Sequence, residues 1–299
     1  MTYEAFKNTI TISIQNHFGE QAQVTLHPII KNNHVVLDGL TIHEKNLNIS
    51  PTIYLNYYYD DYLGGKSLSE IQTDILNAYE QSRSSEHMDF SFFTDYQKVK
   101  YRIVYKLIHY EKNKELLKDV PYIPFLDFAI VFCCLILNAP GGNATILIHN
   151  HHLTFWNTTT EQLYALAQKN TPVLLPFEVQ SMEDVLKTFC TDSPVFTDVD
   201  TDTLNMCPMF VLTNSSKLFG ASCILYPNLL DNFANKIQSD LYIIPSSIHE
   251  VLLVPADHSS NISHFNRMIR DVNATQVQDE EILSNHVYFY SRSKGLINP

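Results

Sequence analysis

The segment DLYIIPSSIHEVLLVPADH, residues 240–258, places two apolar runs on either side of a short polar corner. LYII and EVLLV are rich in branched aliphatic residues, as strands are, while proline and serine are common in the connections between strands. The segment therefore predicts a strand pair joined by the corner, residues 245–250. The polar side chains of the corner are the first candidates for a catalytic site: Ser246, Ser247, His249 and Glu250.

The sequence around this segment extends the pattern into a larger unit. MFVLTN (209–214) and ASCILY (221–226) predict a β-hairpin, and Asn228 is a suitable N-cap for a following helix. A second helix is predicted from Ser260 and a closing strand at HVYFYS (286–291). The order β-β-α-β-β-α-β from about residue 209 predicts an α+β fold with mixed, largely antiparallel sheets and helices packed on one face.

The N-terminal part of the chain shows a similar mixture of elements. Apolar residues recur at helical spacing from residue 3 to residue 14, and Gly19 is placed to end that helix. VTLHPII (24–30) and HVVLDGLTI (34–42) predict antiparallel strands around an Asn-Asn turn, and PTIYLNYY (51–58) predicts a third strand. The SLSE sequence at 67–70 is a capping box, which predicts a helix from Leu68.

The middle of the chain contains one ambiguous run. Thr94 and Gln97 form a second capping box that favours a helix through RIVYKLI (102–108), although this run is equally typical of a strand. Residues 125–137 are too apolar for a surface element and predict a central core element.

Further elements are predicted before residue 209. Residues 143–156 alternate between apolar and polar as a strand does, and helices are predicted from Thr160 and from Ser181. The acidic, threonine-rich segment 191–207 has no apolar period, so we expect an exposed connection. A chain of 299 residues can bury one large core or two modest ones, and we expect two closely packed α+β lobes, residues 1–124 and 125–299.

Charge and hydropathy limit the classes of partner. The net charge of −12 disfavours nucleic acid and anionic membranes, and the basic stretch 98–118 also contains acids, as a solvated surface does. The longest apolar run, 125–137, is too short to span a bilayer, and the N-terminus does not have the pattern of a signal peptide. We therefore expect a soluble, cytoplasmic protein that binds neither nucleic acid nor membrane.

The corner offers a hydroxyl, an imidazole and a carboxylate, which are the groups that a hydrolase needs. In that interpretation His249 is the general base, Ser246 or Ser247 is the nucleophile, and Glu250 or the distant Asp127 orients the base. A structural alternative explains the same residues, because serines commonly bond the backbone of a strand connection. The structural interpretation is favoured, since residues of a catalytic triad normally come from distant parts of a chain.

The sequence provides no pattern of a metal or cofactor site. His149, His151 and His152 cluster on the predicted strand, where His149 and His151 would share a face, but a third ligand is not identifiable and no zinc spacing occurs, so a half-exposed edge strand is favoured. The five cysteines have no CxxC spacing. The acids of the 191–207 segment are without the glycine and glutamate of a calcium loop. The run Gly65-Lys66-Ser67 is not the end of a P-loop, because Asp60 stands where the first glycine of that motif would be. It predicts a turn before a helix cap. We therefore expect no cofactor and no metal.

Tyrosines are concentrated at residues 54–62 beside two aspartates. Exposed tyrosines favour interfaces, whereas partly buried ones belong to a strand and turn, and the second interpretation is favoured here. Without a catalytic or cofactor motif, the main hypothesis is a non-enzymatic module that binds a protein or a small molecule. The alternative is a hydrolase that uses the corner.

Several segments carry a resemblance to a known family. PSSIHEV (245–251), VNATQV (272–277) and VYFY (287–290) are similar to segments of a domain-of-unknown-function family of Gram-positive gut bacteria. NISPTIYLN (48–56) and DFSFFTD (89–95) extend the resemblance into the first half of the chain. The resemblance implies one coherent protein along the whole chain. Because the family has no established activity, it assigns no function to individual residues.

Overall fold

The computed structural model describes residues 1–45, 50–82, 91–139, 142–185, 208–256 and 262–298. The chain divides into two compact units. Unit 1 comprises Met1–Asp95 and Ile136–Ala144, and unit 2 comprises Tyr96–Leu135 and Thr145–Pro299.

Unit 1 begins with the predicted helix, α1 (Tyr3–Phe18), followed by a three-stranded sheet. Strands β1 (Ala22–Ile30) and β2 (Val36–Glu44) are antiparallel, and Asn33 in their connection adopts a positive φ of 59°, which asparagine tolerates. The short strand β3 (Thr52–Tyr54) pairs with β2. These elements confirm the predicted helix and the predicted hairpin.

The predicted third strand of unit 1 is wrong beyond Tyr54. Residues Leu55–Leu63 form helix α2, because helical spacing lets Leu55, Tyr59 and Tyr62 reach the same core as Phe6 of α1. The tyrosine-rich segment is therefore partly buried, as expected, but on a helix.

Helix α3 (Leu68–Ser82) follows the predicted capping box of unit 1. The Ser67 amide donates to the Glu70 carboxylate at 2.9 Å, and the Glu70 amide donates to the Ser67 hydroxyl at 3.3 Å. These hydrogen bonds lower the pKa of Glu70. Lys66 pairs with Asp61 and Asp74, so the glycine-lysine-serine run is a turn and a cap, as predicted.

The predicted helix through residues 102–108 is wrong. After the short helices α4 (Ser91–Thr94) and α5 (Tyr96–Val99), this run forms strand β4 (Ile103–His109). It pairs with the long strand β6 (Phe128–Ala139), which also pairs with β5 (Tyr122–Phe125) and β7 (Gly142–Leu147). Because β4 is covered on both faces, its apolar run is continuous, and periodicity could not identify it as a strand.

Helices α6 (Asn150–Trp156) and α7 (Thr160–Leu174) follow β7. The predicted strand at 143–156 is therefore correct only as far as Leu147. Helix α7 confirms the prediction, and Thr159 caps it by accepting a hydrogen bond from the Gln162 amide.

A six-stranded antiparallel sheet forms the remainder of unit 2 in the order β13-β12-β10-β11-β9-β8. Helix α8 (Leu229–Ile237) precedes β10, and helix α9 (Ile262–Thr275) follows β11. The strands are β8 (Phe177–Ser181), β9 (Phe210–Asn214), β10 (Leu241–Pro245), β11 (Val251–Pro255), β12 (Tyr288–Ser291) and β13 (Leu296–Asn298).

One strand predicted for this sheet is wrong. Residues Gly220–Leu225 form a 3₁₀ helix, because β8 and β11 already occupy both edges of β9 and leave no edge for a second hairpin strand. The antiparallel pair around the corner is confirmed, with Pro245 opposite Val251. The α+β fold class with largely antiparallel sheets is confirmed as well.

Some predictions fall outside the described residues. The Ser181 cap is present, because its hydroxyl accepts from the Asp184 amide at 3.0 Å, but the helix predicted beyond residue 185 lies outside the described ranges. The acidic connection 191–207, Cys190 and Cys207 also lie outside them. Within the described ranges, no helix combines the length and apolarity that crossing a bilayer requires.

Candidate functional site

The corner is a tight loop held by its own polar groups. The Ser247 hydroxyl accepts a hydrogen bond from the His249 amide at 2.9 Å, and the Ser247 amide donates to the Glu250 carbonyl at 3.2 Å. The Ser246 hydroxyl donates to the Glu250 carboxylate at 3.2 Å. The structure thus brings the predicted residues together, and their hydrogen bonds shape the connection between β10 and β11.

The backbone of the corner is also joined to neighbouring segments. The Thr213 hydroxyl donates to the His249 carbonyl at 2.8 Å, and the Ile248 amide donates to the Glu281 carbonyl at 2.8 Å. A Cβ atom at Gly220 would collide with the His249 carbonyl and with Thr213. The corner therefore lies against the start of the 3₁₀ helix with no space between them.

The ring of His249 contacts the loop that precedes Gly220. Its Nδ1 accepts from the Phe219 amide at 3.2 Å and lies 3.1 Å from the Lys217 carbonyl oxygen, while the ring stacks on Phe219. Phe219 and Lys217 have positive φ angles of 56° and 49°, which are unfavourable for residues with a Cβ atom. The imidazole therefore stabilises a strained loop conformation.

The chemistry of the corner follows from these contacts. Nδ1 of His249 faces the backbone of the loop, with the Phe219 amide at 3.2 Å and the Lys217 carbonyl oxygen at 3.1 Å, whereas Nε2 lies 3.7 Å from the Glu281 carboxylate. Among the described residues, no serine hydroxyl bonds to this ring. A hydrolase mechanism through His249 would have to use Nε2, because the loop backbone occupies Nδ1.

Asp127, the distant acid suggested for the corner, has other partners. Its carboxylate accepts from the Tyr288 hydroxyl at 2.6 Å and lies 3.5 Å from Nε2 of His286. The Tyr288 hydroxyl also lies 2.8 Å from Ser284 Oγ. Burial and the adjacent carboxylate raise the pKa of Tyr288 well above its usual range, so this hydroxyl remains protonated and the network joins Asp127 to β12.

The histidine cluster lies at the start of helix α6, so the predicted strand and strand edge at 149–152 are wrong. His149 Nδ1 bonds to the Asp119 carboxylate at 2.7 Å, and the Asn150 amide donates to the Asp119 carbonyl at 2.8 Å. The His149 amide donates to His152 Nδ1 at 2.9 Å, so the neutral imidazole of His152 carries its proton on Nε2. Three-ligand clusters of His, Cys, Asp or Glu do not occur in the part of the chain that the structure describes.

A pocket open to solvent lies elsewhere in unit 2, with a volume of about 400 Å³. Helix α7 supplies one wall from residues at helical spacing, and the opposite stripe of the same helix is buried. Residues around α5 and the end of α6 supply the other wall. The lining consists of Tyr96, Lys100, Asn157, Gln162, Ala165, Leu166 and Lys169.

Hydrogen bonds fix the two walls of the pocket. Thr158 Oγ1 lies 3.1 Å from the Tyr96 hydroxyl and donates to Gln162 Oε1 at 2.9 Å, and the Thr159 amide donates to the same oxygen at 3.1 Å. The Asn170 amide group donates to the Lys100 carbonyl at 2.8 Å. The pocket is therefore a preorganised feature of the fold.

Sequence reasoning missed this pocket. Lys100 lies in the basic stretch that was interpreted as a solvated surface, and the lining comes from three separate segments. One signal was present, since Gln162 and Lys169 are polar residues at helical spacing on the helix predicted from Thr160.

Fold and site together define an α+β protein with antiparallel sheets, a densely bonded strand corner and a polar pocket. The chain belongs to a family of unknown function, DUF5688, whose model matches residues 3–292. The predicted resemblance to an uncharacterised family is thereby confirmed. No curated protein and no solved structure matches the chain.

Proposed function

We infer that this protein is a binding module that takes a small-molecule ligand in the pocket between α5 and α7. The observation that carries this proposal is a shallow, solvent-open pocket of about 400 Å³ whose walls are held by hydrogen bonds. Ligand sites are typically concave, about 300–1,000 Å³ in volume and largely preformed, with a few placed polar groups.

The side chains at the pocket suit binding. Tyr96 and Leu166 provide apolar surface, while Lys100, Gln162 and Lys169 provide hydrogen-bond donors. The cytoplasmic location and the expectation that nucleic acid does not bind rest on composition and stay predictions.

Trp156 provides the readout for a test. It is the only tryptophan in the chain, it is buried, and its ring stacks on that of Tyr96 with centroids 6.0 Å apart. A molecule that occupies the pocket contacts Tyr96 and should change the emission of Trp156. Titration with neutral phenol, cationic benzylamine, and anionic benzoate and phenyl phosphate samples the main ligand classes.

A variant that fills the pocket provides the control. Ala165 is exposed on α7, so Ala165→Phe should fold and obstruct the site, while Ala274→Phe places the same residue at an exposed position of α9. At least one probe is expected to bind the parent protein and Ala274→Phe but not Ala165→Phe. Binding of no probe, or equal binding to all three proteins, would refute the pocket as a ligand site.

The hydrolase alternative at the corner stays a prediction. The hydrogen bond from Ser246 to Glu250 is the observation in its favour, because a carboxylate that accepts a hydroxyl proton can act as a base. It predicts that Ser246→Ala or Ser247→Ala, and His249→Ala, abolish hydrolysis of p-nitrophenyl acetate. Unchanged hydrolysis in all these folded variants, or none by the parent protein, would argue against it.

A further inference from the structure

The charges around the pocket have one sign. Lys100 and Lys169 line it, and no aspartate or glutamate is among its described lining residues. Other lysines, such as Lys7 and Lys118, form ion pairs with carboxylates, whereas neither pocket lysine forms one within the described ranges. The Lys100 ammonium group donates to the neutral Gln97 side chain at 2.6 Å, which leaves two of its three protons for a ligand. Two such cations at one site are notable in a chain with a net charge of −12.

Gln162 adds neutral donors to the same wall. Its Oε1 already accepts hydrogen bonds from the Thr158 hydroxyl and the Thr159 amide, which identifies that atom as the oxygen and not the nitrogen. The Nε2 group, with two N–H donors, has no hydrogen-bond partner among the described residues. The pocket therefore offers an amide donor together with two ammonium groups.

Tyr96 gives the pocket a flat apolar surface. One side of its ring packs on Trp156, which in turn stacks on His152 with centroids 5.3 Å apart. The Tyr96 hydroxyl is engaged with Thr158, so its ring, and not its polar end, is available to a ligand. Aromatic faces of this kind favour stacking with another flat ring.

We propose that the pocket binds a small ligand that joins one flat ring to an anionic group, either carboxylate or phosphate. The ring packs on Tyr96, and the anionic group accepts hydrogen bonds from Lys100, Lys169 and Gln162. The volume of about 400 Å³ fits one ring and its anionic group. This inference rests on the proposed binding function and specifies its ligand class.

The Trp156 titration tests the ligand class through the charge of the probe. Phenyl phosphate or benzoate is expected to bind more tightly than phenol, benzylamine and inorganic phosphate. The tighter of the two anions identifies the preferred anionic group. Their affinity should also fall as potassium chloride is raised, because exposed charge interactions are screened by salt.

Lysine variants locate the interaction. Lys100→Met and Lys169→Met should each weaken binding of the preferred anion about fivefold, as expected for partly exposed charge pairs. Lys236→Met, an exposed lysine on α8 that does not line the pocket, carries the same change in net charge and should bind like the parent protein.

The outcomes separate this inference from the binding function on which it rests. If phenol or benzylamine binds as tightly as the anions and the lysine variants bind normally, the pocket still binds ligands but the anionic class is wrong. If inorganic phosphate binds as tightly as phenyl phosphate, the ring requirement is wrong. If no probe binds, both proposals fail.

Discussion

Replacing Tyr105 by phenylalanine is expected to raise the free energy of unfolding of unit 2 by about 1 kcal/mol. Tyr105 lies on β4 and is fully buried, and its hydroxyl has no hydrogen-bond partner within the described residues. A buried hydroxyl without a partner costs about 1–3 kcal/mol. Phenylalanine keeps the ring and removes that cost, but it leaves a small gap with lost dispersion contacts, so the lower end of the range applies.

A neighbouring tyrosine provides a matched control of opposite sign. The ring of Tyr226 lies 6.4 Å from that of Tyr105, but its hydroxyl donates to the Leu175 carbonyl at 2.6 Å. Tyr226→Phe removes a satisfied hydrogen bond and deprives a buried carbonyl of a donor. This variant is expected to lose about 1–2 kcal/mol of stability.

Urea unfolding followed by Trp156 emission measures both variants. Trp156 belongs to unit 2, as do Tyr105 and Tyr226, so its emission follows the unit in which the substitutions lie. The two midpoints should move in opposite directions with little change in the denaturant dependence. The reasoning is refuted if Tyr105→Phe destabilises the protein as much as Tyr226→Phe does, because the Tyr105 hydroxyl would then have a partner such as a buried water.

Three further outcomes follow from described contacts. Gly220→Ala should cost about 3 kcal/mol in urea unfolding, because the added methyl group meets backbone atoms of His249, and a loss below about 1 kcal/mol would contradict that contact. Ser67→Ala should cost about 1 kcal/mol in melts followed by far-UV circular dichroism, whereas Ser69→Ala, beside the cap, should cost less. Burial and the nearby His151 lower the pKa of His152 in the folded protein from its usual value of 6.5. As the pH falls below 6.5 the unfolded chain therefore takes up this proton first, so stability that is present above pH 6.5 is lost as the pH falls through the folded-state pKa. In an NMR titration, His151→Gln should raise the pKa of His152, and an unchanged value would show that His151 has no influence.

Local signals predicted the parts of the fold in which sequence neighbours are also spatial neighbours. The capping box at Ser67, the helix α1 and the strand pair around the corner depend on hydrogen bonds or periodicity within a short segment. Such signals did not predict strand β4. Both faces of this strand are buried, so its apolar residues are continuous and do not alternate with polar ones. The 3₁₀ helix at Gly220–Leu225 depends on which edges of β9 are already occupied, and that is a property of the whole sheet.

The candidate sites divide in the same way. Ser246, His249 and Glu250 are adjacent in sequence, so their proximity could be predicted, but the bond from the Phe219 amide to His249 could not. The pocket requires Tyr96 and Lys169 to line one site, and no local pattern indicates that residues so far apart in the sequence do so. Its two lysines were individually visible in the sequence as ordinary surface charges.

The close contact between Gly220 and the His249 carbonyl has a consequence for comparing this chain with its relatives. A relative with any larger residue at the position of Gly220 must move the β10–β11 hairpin outward or reshape the loop before the 3₁₀ helix. The identity of this residue would therefore indicate whether the serine and histidine of a related corner can serve the same structural role. Where glycine is replaced, such a shift would break the contacts between the imidazole and the loop, and the ring could then act as a base. Such relatives are therefore the ones in which to assay hydrolysis first.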